Sequence, residues 1–269
     1  MTLTTLQLSD PSRRVSYRLS GQGAPLVLIH GVGMQSAAWG PQIAALSATN
    51  AVYALDMPGH GGSDPLPMKE PGLEDYVAWL AEVLAALDLP SVSLAGHSMG
   101  ALIAGGFAAS CPDRVSRVAL LNGVFRRDVA AREAVTARAA AIREGEFDLE
   151  TPLTRWFGDS VADQAARAQV AGWLSAVNPE GYADAYGAFA KGDAVYADRF
   201  ADIRCPLLAI TGEGDPNSTP AMSQAMADAA PQGRAEVVAG HRHMVNLTAP
   251  GQISDLMATW LATPVKEAT

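Results

Sequence analysis

The chain is short of cysteine, lysine and aromatic residues, and each shortage excludes something. Cys111 and Cys205 are the only cysteines. Each precedes a proline at the end or start of a regular element, so two reduced, buried thiols are expected rather than a disulfide framework. No cysteine or histidine spacing resembles a metal-ligand set. His241 and His243 lie close together, but no third ligand accompanies them. The only lysines are Lys69, Lys191 and Lys266, so the basic residues are almost all arginine. The formal charge is −9, and such a surface repels nucleic acid and anionic membrane, so neither is an expected partner. No apolar run is long enough to cross a bilayer. The first residues, Met1 to Leu6, lack a basic start followed by an apolar core, so no signal peptide and a cytoplasmic location are expected.

What the chain does have is length and small apolar residues. Its 269 residues suffice for one large α/β domain, or a core with a modest insertion, and 49% of them are hydrophobic. Aromatics make up only 6% while glycine numbers 25, which suits helices packed tightly on a sheet. Gln7-Leu8 and Arg14–Leu19 read as an opening hairpin with Asp10-Pro11 at its turn. Pro25–His30 and Ala51–Asp56 are continuous apolar runs, as in strands covered on both faces. Trp39–Leu46 between them has helical spacing. In Leu73–Leu87, residues Leu73, Val77, Leu80, Leu84 and Leu87 share one helical face. Strands follow at Ser91–Ala95 and Val115–Leu121. The alternation predicts a mostly parallel, doubly wound sheet.

From about Phe125 the strand pattern stops. Helices are expected at Asp128–Glu144, Leu153–Phe157, Val161–Val177 and Pro179–Ala190. The α/β pattern resumes with a strand at Pro206–Thr211, a helix at Pro220–Ala230, a strand at Ala235–Val238 and a helix at Gln252–Leu261. Residues 1–124 and 196–269 therefore form the expected core. Residues 125–195 form a helical lid inserted after the sixth strand.

The motif with most chemical content is Gly96-His97-Ser98-Met99-Gly100. An apolar strand precedes it and a small-residue helix, Ala101–Ala109, follows. Strand, G-x-S-x-G, helix is the nucleophile elbow, which holds a serine hydroxyl above the sheet edge. The N–H of Met99 then points toward an oxyanion formed there. A serine needs a base, and the base needs an orienting acid. Asp215, in Gly212-Glu213-Gly214-Asp215, sits at the C-terminal end of a parallel strand, where open α/β sheets bind ligands. Glu213 is the alternative acid. Asn122 ends the preceding strand, and its amide cannot serve as an acid. His241 and His243 both qualify as the base. His97, Asp56 and His60 are read as residues that pack or hydrogen-bond their own turns.

Together, His30-Gly31-Val32-Gly33, Asp56-x-Pro58-Gly59-His60-Gly61-x-Ser63, the elbow, Gly212-x-x-Asp215 and His243 resemble the α/β-hydrolase superfamily over nearly the whole chain. Leu121-Asn122, Arg155-Trp156-Phe157 and Asn178-Pro179-Glu180-Gly181-Tyr182 are most similar to the β-ketoadipate enol-lactone hydrolase-like branch. The resemblance implies an α/β-hydrolase fold and a Ser98–His243–Asp215 triad. It selects His243 by its distance of seven residues from Pro250. It also implies an oxyanion hole made by the N–H groups of Val32 and Met99, and no metal or organic cofactor. The segment Gly240-His241-Arg242 departs from the small residues usual before that histidine.

The expected reaction is hydrolysis of a small carboxylic ester or enol lactone through an acyl-serine. Alternatives are C–C hydrolysis of a vinylogous diketone, hydrolysis of an acylated enamine or amide bearing carboxylates, and a hydrolase-fold signal receptor. Halide displacement is not expected, because relatives that do it need an aspartate where Ser98 stands. His30, Gly31, Arg126, Arg127, Arg155 and Trp156 are candidates to line the substrate pocket. The arginines either bind a substrate carboxylate or pair with local acids such as Asp128 and Glu133. The partner is a small molecule, and the chain is expected as a monomer or homodimer.

Overall fold

The computed structural model describes residues 2–8 and 13–265; the Asp10-Pro11 turn lies outside them. Eight strands form one sheet in the order β1-β2-β4-β3-β5-β6-β7-β8. They are β1 (Thr2–Gln7), β2 (Arg14–Ser20), β3 (Ala24–Ile29), β4 (Asn50–Leu55), β5 (Val92–His97), β6 (Val115–Leu121), β7 (Leu207–Gly212) and β8 (Gly233–Val238). β1 and β2 pair antiparallel, as do β2 and β4; every other pairing is parallel.

The apolar runs are continuous because the parallel strands are covered on both faces. Leu26 and Leu28 of β3 face one layer, which holds α1 (Gly40–Leu46) and α10 (Pro250–Leu261). Val27 and Ile29 face the other layer, with α2 (Leu73–Ala86), α3 (Met99–Ser110) and α8 (Pro220–Ala229). Between β6 and β7 lie α4 (Val129–Arg143), α5 (Glu150–Trp156), α6 (Val161–Ala176) and α7 (Pro179–Gly192). Each of α4, α6 and α7 starts where a polar side chain accepts a main-chain N–H: Asp128 from Ala131, Ser160 from Asp163, and Asn178 from Gly181. A short helix the sequence pattern does not reveal, α9 (Val245–Thr248), follows the last strand. Cys111 and Cys205 are free thiols.

The chain crosses from β3 outward to β4, then returns past β3 to β5. The loops after β3 and β5 therefore diverge at a topological switch point, where open α/β sheets leave a crevice. Two buried histidines tie together the loops beside it. His30 donates from Nδ1 to the Gly31 carbonyl (2.8 Å) and accepts the Met57 N–H at Nε2 (2.9 Å). His60 donates to the Pro58 carbonyl (3.0 Å) and accepts the Gly33 N–H (3.0 Å). Asp56 accepts from the N–H groups of Ser36 (2.6 Å) and Gly62 (3.1 Å). The loops after β3 and β4 are thus one hydrogen-bonded unit.

Both rings need an acceptor nitrogen, so both must stay neutral. Burial, with His30 nearby, pushes the His60 pKa down to about 3. The unfolded chain takes up this proton near pH 6.5 and the folded one does not until about pH 3. Stability is therefore lost as pH falls through that window. His60 alone sets a slope of up to about 1.4 kcal/mol per pH unit. Urea unfolding between pH 7 and 4 should show His60→Gln with a shallower slope than the parent; equal slopes would remove His60 from this role.

Candidate active site

Ser98 stands between β5 and α3 with φ 54° and ψ −114°, a left-handed conformation costly to a residue with a Cβ. The crossing of strand and helix imposes it. A Cβ on Gly96 would lie 1.9 Å from the Gly100 carbonyl oxygen, and one on Gly100 would lie 2.2 Å from that of Ile29. Only glycine permits this approach. The Ser98 N–H donates to the Leu121 carbonyl at 2.8 Å, tying the turn to β6. A Cβ on Gly31 would meet the Ser98 Cβ at 3.0 Å, so the loop after β3 lies directly against the serine.

Asp215 follows β7, and His243 lies between β8 and α9. His243 donates from Nδ1 to Asp215 Oδ2 at 2.8 Å, which leaves Nε2 as an acceptor. The second carboxylate oxygen accepts the N–H groups of Asn217 (2.8 Å) and Ser218 (3.1 Å). Burial acts to raise the Asp215 pKa. His243 and the hydrogen bonds outweigh it, and the net shift is downward. The carboxylate therefore stays ionised beside the imidazole. Asn122 donates its amide to Asp215 Oδ2 at 2.9 Å. The residue that could not be the acid instead holds the acid in place.

His241 bonds to Thr248 Oγ1 at 2.9 Å, away from Asp215. Glu213 accepts the Gly240 N–H at 3.0 Å and likewise turns aside. His97 donates from Nε2 to the His243 carbonyl (2.9 Å), and burial, with His243 close by, lowers its pKa to about 3. It is a neutral prop under the His243 main chain.

Ser98 and His243 open on one cavity of about 520 Å³. The Ser98 hydroxyl makes no hydrogen bond among the described residues, so the serine–histidine contact is not closed in this geometry. Such contacts often tighten only around substrate. Val32 and Gly31 also line the cavity. The main-chain N–H groups of Val32 and of Met99, the first residue of α3, are bound to no acceptor among the described residues. Trp156 stacks on His243 with ring centroids 5.6 Å apart and planes 25° off parallel.

Two of the substrate-pocket candidates do not reach the cavity. His30 is consumed by the loop bonds described above. Arg126 adopts φ 47°, which turns its side chain to the surface, where it pairs with Asp198. Its neighbour Arg127 points inward. It is buried against Asp193 (3.3 Å), the Phe189 carbonyl (3.2 Å) and the Phe189 ring. Arg155 lines the cavity and has no ion-pair partner among the described residues.

Arg138 is a cavity residue that the sequence reading missed. It donates to the Asp148 main-chain carbonyl at 3.2 Å and to the Tyr186 phenol. After the Thr151 side-chain hydrogen bond, its charge helps lower the Asp148 pKa, but it forms no salt bridge among the described residues. The signal was present: Ala131, Ala134, Val135 and Arg138 of α4 form an i, i+3, i+4, i+7 stripe on the cavity wall. Tyr186 stands near them, its phenol held protonated by burial. Three arginines face the cavity, and no Asp or Glu side chain is among its lining residues. This basic lining stands in a chain of net charge −9.

The model of the alpha/beta hydrolase family matches residues 26–256. An (E)-2-((N-methylformamido)methylene)succinate hydrolase of Acinetobacter baylyi is 52% identical over 263 residues, covering 98% of this chain and 99% of that one. A 3-oxoadipate enol-lactonase of the same organism is 29% identical and covers 77% of this chain and 78% of its own length. The crystal structure of the enol-lactonase from Burkholderia xenovorans superposes with a TM-score of 0.85 at 25% identity, covering 97% of this chain and all of that one. With its eight-stranded sheet flanked by helices, the chain belongs to the alpha/beta hydrolase family and is a hydrolase close to the enol-lactonase branch.

Proposed function

We propose that the protein hydrolyses the amide bond of a small, unsaturated dicarboxylate whose nitrogen carries an acyl group. The observation that carries this reading is that, among the described residues, the cavity shared by Ser98 and His243 is lined by no Asp or Glu side chain, while Arg138 and Arg155 stand outside any salt bridge. Arginine recognises carboxylates through its planar fork of donors. Two such groups outside any salt bridge match a substrate with two carboxylates. Arg127 is neutralised by Asp193 and serves instead to anchor the chain where it leaves β6. The relative at 52% identity is named for a succinate that carries an N-methylformamido group on a double bond. This favours the acylated-enamine alternative; for the ester or lactone expectation, the support reaches only as far as hydrolysis. The walls from Trp156, Tyr182 and Tyr186 suit a flat conjugated molecule. Identity to a named hydrolase over nearly the whole chain sets the receptor reading aside.

In this mechanism Ser98 Oγ attacks the amide carbonyl carbon. His243 Nε2 takes the hydroxyl proton, and Asp215 stabilises the imidazolium through Nδ1–H. The N–H groups of Val32 and Met99 receive the oxyanion. The C–N bond then breaks, His243 returns the proton to the nitrogen, and the acyl group stays on Ser98. Water, deprotonated by His243, releases the acid and restores the serine. A nitrogen conjugated through a double bond to a carboxylate shares its lone pair away from the carbonyl. Its amide is weaker and its leaving group better than those of a simple peptide.

Ser98→Ala should retain the fold and lose about a thousandfold or more in kcat. Arg138→Ala and Arg155→Ala should each lower kcat/KM for an N-acyl enamine dicarboxylate by about ten- to a hundredfold, the equivalent of a hydrogen bond to a charged group. The dimethyl ester of the same molecule should be affected little. Steady-state kinetics on both compounds checks this, and equal losses on both would contradict the anion-site assignment.

A further inference from the structure

The last turn of a helix leaves main-chain carbonyls without partners, and arginine is well suited to bind them. At the C-terminal end of α5, two such carbonyls accept from Arg242 Nη1: Thr154 at 3.0 Å and Phe157 at 2.7 Å. Arg242 comes from a distant part of the chain, the residue just before His243. Its positive charge also faces the negative end of the helix.

The main chain of Arg242 is held as firmly as its side chain. The Arg242 carbonyl accepts from the Asn122 amide at 3.3 Å, the same amide that bonds Asp215. It passes so close to β7 that a Cβ on Gly212 would lie 2.2 Å from it. One end of Arg242 is thus fixed to the Asp215–Asn122 network, and the other to α5. That helix supplies Arg155 and Trp156 to the cavity, and Trp156 stacks on His243. Arg242 itself does not line the cavity.

We propose that Arg242 is a positioning residue: it clamps the end of α5 to the His243 loop and thereby places Arg155 and Trp156 against the reacting centre. The inference rests on the anionic-substrate reading above. It gives a purpose to the segment Gly240-His241-Arg242, in which a long cation stands where small residues would leave the Thr154 and Phe157 carbonyls without this donor. The side chain of Arg242 reaches substrate through the residues that α5 places, so the part of its effect that depends on the substrate carboxylates must depend on Arg155 being present.

A double-mutant cycle tests this, using Arg242→Ala, Arg155→Ala and the double variant. The substrate is an N-acyl enamine dicarboxylate, with its dimethyl ester as the neutral control. Arg242→Ala should lower kcat/KM for the dicarboxylate about tenfold, chiefly through KM, with a smaller loss on the diester. In the Arg155→Ala background it should cost less than about threefold, since interacting residues are not additive. Arg242→Lys keeps a donor and should recover part of the loss. It also keeps the cycle interpretable if Arg242→Ala fails to fold. Independent, multiplying effects of Arg155 and Arg242, or equal losses on dicarboxylate and diester, would overturn the inference while leaving the functional reading intact. Unchanged kinetics in Arg155→Ala would remove the functional reading and this inference together.

Discussion

The structure depends on the close crossing of β5 and α3 at Ser98. Gly96, Gly100 and Gly31 leave no room for a side chain at that crossing, and the serine is held at φ 54° as a result. Everything else in the site is placed relative to this turn. The loop after β3 can lie against Ser98 only because Gly31 lacks a Cβ, and that contact brings Val32 to the cavity. β6 receives the Ser98 N–H, and Asn122 at its end reaches Asp215 after β7. Asp215 in turn holds His243. The strain at one residue is borne by a sheet whose central strands are buried on both faces.

Charge is partitioned as sharply as shape. The inserted helices carry more acids than bases, yet their acids lie outside the cavity or against an arginine. Asp193 takes Arg127 and Arg132, and Asp184 takes Arg143. Arg138 and Arg155 form no salt bridge among the described residues: Arg138 bonds the Asp148 carbonyl and the Tyr186 phenol, and Arg155 has no ion-pair partner. An unpaired guanidinium in a cavity wall contributes little to folding. It matters when a carboxylate arrives, because charge-assisted bonds there are stronger than bonds between neutral groups.

The sequence was most legible where one local pattern had a single structural solution. The elbow is such a case, because a serine flanked by glycines between a strand and a helix can turn only one way. The strand and helix at Val115–Leu121 and Leu73–Ala86 were equally plain, since burial on two faces or on one stripe writes itself into the apolar spacing. The arginines were not legible. Arg126 and Arg127 are adjacent and chemically identical, and only the left-handed backbone of Arg126 sends one to solvent and the other to the cavity. Arg138 sits inside an amphipathic helix whose other arginines, Arg132 and Arg143, pair with Asp193 and Asp184, and only its place on the alanine–valine stripe marks it. His30 stands next to Gly31 and Val32 in sequence, but its ring is spent joining that loop to Met57. The role of Arg242 needed a contact across 88 residues, from Thr154.

The central claim is that the reaction at Ser98 is hydrolysis of an acylated amine on an anionic molecule. It is tested most directly by a product-resolved competition. Purified protein is given an N-acyl enamine dicarboxylate, its dimethyl ester and a carboxylated enol lactone together, and the products are followed by mass spectrometry. The account predicts that the dicarboxylate amide is consumed first, with release of the acyl group as its acid and kcat/KM about a hundredfold above that of the diester. Faster consumption of the diester or of the lactone would contradict it.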